Sequence, residues 1–491
     1  MSATKEYCMD IMEQPEYKIG EELAKANELA AKVKAKKCES KSCRMILSEL
    51  ESQIKEVDFR KIAGLDEEKK ISQKTYVVHS VEEVLRIAAV NDWGLCIRNG
   101  YIYIFNGKYW KVIDAVDFRS FLSKAALKMG VPKLDAKYHQ FREELFKQFL
   151  SVGNLSTPEA GKSILINLLN GTFEISTDKQ QLREPKREDF LKYQLPFEYN
   201  PEVGCPLFNK YLLRVLPDED CRKILAEYIG YIFVNDLKLE KAVILYGSGA
   251  NGKSVFFEIV NAILGRENIC SYSLQNLTKS DSYQRAELSN KLLNYASEIN
   301  GKLEASVFKQ LVSGEPVEAR QIYGKPFIMD NYAKLMFNCN ELPHEVEQTD
   351  AFFRRFIIIP FTQTIPEEEQ DPELAKKIIN EELSGVFNWL LAGLKRIVIQ
   401  KKFTQSALVK EQVETFRTET DNVALYMREE EYKKSVTGKF VTLKFLFDEY
   451  RKFCNANGYR ACANRKFSER LRALGFETKK TMNGVVVYVE K

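Results

Sequence analysis

Histidine is almost missing from this chain: 491 residues contain only His79, His139 and His344, spread far apart. That distribution argues against a histidine-built metal centre. Long hydrophobic runs are missing too. None reaches the ~18–20 residues that cross a bilayer, so no membrane partner is expected. Met1 leads into a polar, charged start rather than a secretory leader, and a cytoplasmic location is expected. The ten cysteines form no spaced framework. Cys38 and Cys43, the nearest pair, lack the second pair or the histidines of a zinc site, and cytosolic thiols stay reduced. No pair of carboxylates sits in a polymerase-like setting. Asp218 and Asp220 stand just before a helix expected over 221–233, where acids complement the helix dipole, so no primase centre is visible. The net charge of +4 says little as a total.

What is present is one stretch around which the rest is organised, Gly247-Ser248-Gly249-Ala250-Asn251-Gly252-Lys253-Ser254. It fits the phosphate-binding pattern G-x-x-x-x-G-K-[ST]. Glycine permits the backbone angles and close approach by which N–H groups wrap phosphate oxygens. Lys253 can reach the outer phosphates and the Ser254 hydroxyl can ligate Mg²⁺, so ATP and Mg²⁺ are the expected cofactors. Residues 241–246 before the loop read as a buried strand. Residues 255–264 after it read as a helix stopped by Gly265. That order aims a helix N-terminus at an anion. Gly161-Lys162-Ser163 also spells G-K-S, but Ser156 stands where the first glycine belongs and no apolar strand precedes it, so that copy is rejected.

The length implies more than one core. Residues 1–75 read as a polar helical arm and 76–206 as an α+β domain. The latter has hairpins around Asn106-Gly107 and Asn170-Gly171 and a helix over 117–129. Residues 207–236 read as a helical collar, 237–400 as the nucleotide domain and 401–430 as a helical linker. Residues 431–491 form a small module in which basic residues outnumber acidic ones.

Several stretches after the loop bear on its chemistry. Residues 291–296 read as a strand beside the loop. It ends in Ser297-Glu298, and Glu298 is suited to polarise water or hold the metal. A helix over 305–313 contains Lys309. Residues 317–329 read as a hairpin with Arg320 on a strand and Lys325 at its tip. The strand over 334–337 leads to Asn340, an amide able to sense the γ-phosphate. Arg354 and Arg355 directly precede an apolar strand, suited to touch a nucleotide held by a neighbouring subunit, because the guanidinium fork pairs with phosphate oxygens and stays charged.

In this order the parts resemble superfamily 3 helicases, and among them the poxvirus and phage/plasmid helicase–primase type encoded by viruses and mobile elements. The likeness continues upstream in Asn167–Phe173, Leu195–Pro201 and Cys205–Phe208, and covers about 80–430 and the tail. The resemblance implies an α/β, AAA+-like P-loop motor assembling as a homo-oligomeric ring, usually a hexamer, with ATP at subunit interfaces. It implies 3′ to 5′ movement on single-stranded DNA, action on forked DNA in the host cytoplasm, and room for a separate primase or polymerase. By position, Lys253 and Ser254 bind phosphate and Mg²⁺, Glu298 is the Walker B acid and Asn340 is sensor 1. Arg355 is the arginine finger, with Arg354 as second choice. The 317–329 hairpin lines the pore, with Lys325 and Arg320 on DNA phosphates. Ser297 departs from the family, where many members have Asp.

The tail reads as two helices, over 443–457 and 464–474, then a hairpin around Asn483-Gly484. This suggests a winged helix, a module that commonly ends this group. Arg465, Lys466, Arg470 and Arg472 would lie on or near its recognition helix, with Lys479 and Lys480 on the wing, able to meet DNA phosphates. Two other classes remain open. One is a DNA-binding initiator whose ATP binding drives assembly without unwinding. The other is a metabolite kinase, which needs a substrate pocket and lid arginines.

Overall fold

Asn-Gly turns and one buried parallel sheet set the scaffold of the chain. A computed structural model describes residues 42–91, 94–98, 100–153, 163–176, 180–297, 299, 303–322, 326–343, 346–459, 461–482 and 484–491. Most of the expected N-terminal arm, Cys38, the rejected Gly161-Lys162, Glu298, Lys325 and His344 lie outside these residues.

The chain opens with helix α1 (Cys43–Gln53) and helix α2 (Gln73–Val90), then strands β1 (Leu95–Arg98), β2 (Tyr101–Phe105) and β3 (Trp110–Ile113). The β2–β3 hairpin pairs Ile102 with Ile113 across its Asn106-Gly107 turn, where Gly107 takes φ 89°. Helices α3 (Ala115–Lys128) and α4 (His139–Val152) close this core. Ile46, Leu47 and Leu50 are buried in it beside Val81, Phe118 and Phe149. The described part of the expected arm is therefore part of the domain, and residue 75 is no boundary.

A second small sheet follows, with β4 (Ile164–Leu168), β5 (Gly171–Ile175) and β6 (Gln180–Arg183) in that order. Its Ile166, Phe173 and Leu182 share a core with the two expected collar helices, α5 (Pro206–Val215) and α6 (Glu219–Tyr231), and with the parallel sheet. Asp218 caps α6 by accepting from Cys221 N at 2.7 Å, which matches the charge role expected for it. The N-terminus of α5 is closed from a distance: both Glu382 oxygens accept, from Leu207 N and Phe208 N, at 2.9 Å.

The parallel sheet runs in the order β13 (Phe356–Pro360), β7 (Ala242–Tyr246), β12 (Lys334–Cys339), β9 (Leu293–Ala296), β8 (Ile269–Cys270). β7, β12 and β13 are buried along nearly their whole length, as a sheet covered on both faces demands. Helix α7 (Lys253–Leu264) follows β7, α8 (Ala305–Ser313) follows β9, and β10 (Val317–Arg320) pairs antiparallel with β11 (Pro326–Met329) as the expected hairpin. The sequence set β9 directly beside the loop strand; in the fold β12 lies between them. Helix α9 (Leu383–Gln400) packs closely on α6, since a Cβ at Gly393 would fall 2.3 Å from the Ala226 carbonyl carbon. Between these helices Glu227, fully buried, is neutralised by Arg396 at 3.1 Å and accepts from Thr404 N and Oγ1.

Helix α10 (Ala407–Thr420), expected as linker, packs on β13 and buries Phe416 among Phe353, Phe356 and Phe308. Helix α11 (Asn422–Glu429) already belongs to the C-terminal core through Val423, Tyr426 and Met427, so that module starts about nine residues earlier than expected. It continues with β14 (Lys433–Lys434), β15 (Val441–Thr442), α12 (Leu443–Ala456), α13 (Asn464–Ala473), β16 (Thr478–Thr481), β17 (Gly484–Val487) and β18 (Val489–Glu490). β15, β17 and β16 form one sheet, and β14 pairs with β18.

Candidate nucleotide site and nucleic-acid surfaces

Because β7, β9, β12 and β13 are parallel, their carboxyl ends share one edge. In register, Tyr246 pairs with Cys339 and Pro360, and Phe337 with Ala296. The loop Gly247–Ser254, Ser297 and Asn340 therefore gather there. The loop is pinned on three sides. Gly247 N donates to Cys339 O at 3.1 Å, Asn251 Nδ2 to Phe361 O at 2.9 Å, and Ile365 N to Ala250 O at 2.9 Å. Gly252 caps α7 at φ 86°, and a Cβ there would come 2.7 Å from Val215 Cγ1. Tyr211 Oη donates to Gly252 O at 2.8 Å. Helix α5 is thus a buttress for the loop, a function its collar-like sequence does not announce.

Lys253 is buried, and Nζ donates to Gly247 O at 2.6 Å and Asn251 Oδ1 at 2.8 Å. Burial lowers its ammonium below the ordinary lysine value. Both acceptors are neutral, so the charge has no counter-charge within the loop, as a phosphate-binding lysine requires. Ser254, exposed in the first turn of α7, leaves its side chain open for a metal. These residues fit a nucleotide phosphate with Mg²⁺: Gly247–Ser254 would hold the phosphates and Ser254 would supply a metal ligand. Among the described residues no group of three or more His, Cys, Asp and Glu could hold a metal by itself.

On β12 the two asparagines part company. Asn338 is buried and accepts from Tyr295 Oη at 2.8 Å, whereas Asn340 is exposed beyond the strand end. The sensor reading therefore attaches to the residue that is free to face a ligand.

Arg354 and Arg355 lie at the opposite edge. Arg355 O accepts from Ala242 N at 2.8 Å at the start of β7. Five strand residues at about 3.3 Å each separate them from the loop, so neither side chain attends the nucleotide of its own chain. Arg355, ranked first by sequence, is 7% exposed. Its guanidinium donates to Ser313 Oγ at 3.0 Å and to Ala351 O, and pairs with Glu240 at 3.1 Å. Arg354 has a side chain 64% exposed and pairs with the same Glu240 Oε2, at 3.3 Å. Within its own chain, then, Arg355 is held by neighbours, and Arg354 is the arginine on the surface. Lys309 is held by Glu347 at 3.1 Å.

The hairpin β10–β11 leaves the same amino edge, with Val317 and Ala319 buried and Glu318 and Arg320 outward. In the C-terminal module Lys466, Arg472, Lys479 and Lys480 are exposed. Arg470 is not: it pairs with Asp421 at 3.4 Å and donates to Asn422 at 3.0 Å, clamping α13 to α11. That half-buried pairing sets it apart from the exposed cations of the module. Arg465 is tied to Glu469 at 3.0 Å.

Three segments match known families. Residues 83–217 match one described as D5 N terminal like, 245–355 a family of unknown function, and 418–490 one described as poxvirus D5 protein-like. Among curated proteins, the chain is 26% identical over 266 residues to "Putative helicase 121R" of invertebrate iridescent virus 3, covering 47% of this chain and 28% of that protein. It is 24% identical over 225 residues to "Putative helicase L207/L206" of Acanthamoeba polyphaga mimivirus, covering 43% and 23%. The match thus spans about a quarter of the length of either relative. A solved structure of the NrS-1 C-terminal region is 14% identical, with a TM-score of 0.45, covering 82% of this chain and 97% of that one. No helix among the described residues is long and apolar enough to cross a membrane.

Proposed function

We propose that this chain, which matches the D5 N terminal like and poxvirus D5 protein-like families over 83–217 and 418–490, is a D5-type helicase of superfamily 3, an ATP-driven replicative DNA helicase working as a homo-oligomeric ring. ATP with Mg²⁺ binds at Gly247–Ser254, with Glu298 as the acid that orients water and Asn340 as the amide facing the γ-phosphate. One observation carries the reading. The loop and the exposed Arg354 occupy opposite edges of one sheet, so a complete site needs the arginine of a second copy. Such a cation stabilises charge on the transferred phosphoryl group. A hexamer is the expected assembly, translocating 3′ to 5′ on single-stranded DNA at forks inside the host cell. The 317–329 hairpins with Arg320 and Lys325 would grip the strand backbone. The C-terminal module, as a winged helix, would bring Lys466, Arg472, Lys479 and Lys480 to DNA phosphates. A separate primase or polymerase would complete the replication machinery.

A second reading rests on Ser297, which stands where many relatives of this type carry an acid: ATP binding drives assembly on DNA without processive unwinding. One experiment addresses both. ATP hydrolysis per chain is measured against protein concentration, with and without oligo(dT), alongside native mass. Rates that rise with assembly and with single strands support the helicase. Assembly without strand stimulation supports the initiator. Full turnover by isolated monomers sinks both.

A further inference from the structure

A cleft of about 670 Å³ lies far from the phosphate loop, where the β1–β3 sheet faces the amino edge of the parallel sheet. Three cations line it, the partly buried Arg98 and Lys192 and the exposed Lys401. Lys192 is partly buried and makes no hydrogen bond or ion pair with any described residue; burial, and then the charge of Arg98, pull its ammonium down to about 8. Arg98 stacks over the Phe190 ring at 4.9 Å and forms no ion pair with a described residue. Four acids, Glu188, Asp189, Asp236 and Asp330, line the same cleft. Asp189 is taken by Arg183 at 2.8 Å, while Glu188, Asp236 and Asp330 are exposed around the mouth, from where Asp330 offsets the lysine only in part.

Two like charges confined together, one without a counter-ion, cost free energy that an uncharged side chain would avoid. An anion between them removes that cost. The half-buried ring of Tyr101 and the exposed amides of Asn235 and Asn331 line the same cleft, giving a ring for a planar base and polar groups for its edges.

We propose that this cleft binds a nucleotide by its phosphate, with Lys192 and Arg98 as counter-charges and the base against Tyr101. A free nucleotide and the phosphorylated end of a strand share this chemistry. The site is distinct from the P-loop and does not depend on the motor reading.

The test uses the full chain with its P-loop saturated by a non-hydrolysable ATP analogue. Affinities for thymidine monophosphate, 5′-phosphorylated oligo(dT) and unphosphorylated oligo(dT) are compared for the wild type and Lys192→Met. Loss of one charge-assisted contact is expected to weaken a phosphorylated probe about ten-fold and to leave the unphosphorylated strand unchanged. Loss for the mononucleotide identifies the free ligand; loss for the phosphorylated strand alone identifies a strand end. Equal affinities in both proteins for both phosphorylated probes overturn the proposal. Ligand-free Lys192→Met should melt no lower than wild type, and a lower melting temperature would mark a structural lysine and overturn it too. If unphosphorylated oligo(dT) fails to bind the wild type, the helicase reading suffers and the mononucleotide result still decides the cleft.

Discussion

The two edges of the parallel sheet treat their cations in opposite ways. At the carboxyl edge Lys253 is tethered by two neutral acceptors, Gly247 O and Asn251 Oδ1, and stays ready to exchange them for phosphate. At the amino edge Arg355 is locked by Glu240 and Ser313, and only its neighbour Arg354 is left outward. On the function proposed above, nucleotide binds at one edge and the arginine at the other serves a neighbour's site, so that each chain would hold half of two sites.

The sharpest way to break that comparison is Arg354→Ala. It is expected to fold, assemble and bind ATP yet lose about 10³-fold in hydrolysis, the low end for a supplied arginine. Normal turnover in an assembled ring would remove the two-edge account. Lys253→Ala should cost about 10²–10³-fold at the other edge, because developing phosphoryl charge loses its fixed partner; steady-state ATPase assays check this. Mixing the two variants sharpens the contrast. Each supplies what the other lacks, so mixed rings should regain hydrolysis that neither has alone. Arg355→Ala should act on stability rather than turnover, lowering unfolding free energy by about 2 kcal/mol as Ser313 and Glu240 lose their partner; denaturant melts of the monomer read it. The smallest effect is expected in the C-terminal module. Replacing Lys479 and Lys480 with Ala should flatten the salt dependence of duplex binding by about 0.9 per lost phosphate contact, while Arg470→Ala should lower stability and leave that slope alone.

The phosphate loop was legible because everything that defines it is local: glycine spacing, an apolar run before it and a helix after it. The hairpins at Asn106-Gly107 and Asn170-Gly171 were legible for the same reason. Adjacent arginines were not, because entering a strand sends neighbouring side chains to opposite sides, and only the position of Glu240 and Ser313 decides which one is buried. Domain limits were misread where cores are shared across long stretches of sequence. Phe416 in α10 belongs to a narrow apolar stripe that looks like a solvated helix until β13 is set against it. The support given to Gly252 by Tyr211 and Val215 joins residues some forty positions apart, with no local signal. Strand order is equally silent, since the chain passes over a gap between β7 and β9 that β12 later fills.

One hydrogen bond described above carries a mechanical consequence. Asn251 in the loop grips Phe361 at the far end of β13, and the near end of β13 carries Arg354 and Arg355. On the function proposed above, the loop and the arginine offered to the next protomer are thus tied to the two ends of one strand, itself held in register along β7. Removing the Asn251 amide would cut that tie at one end and take from Lys253 one of its two acceptors.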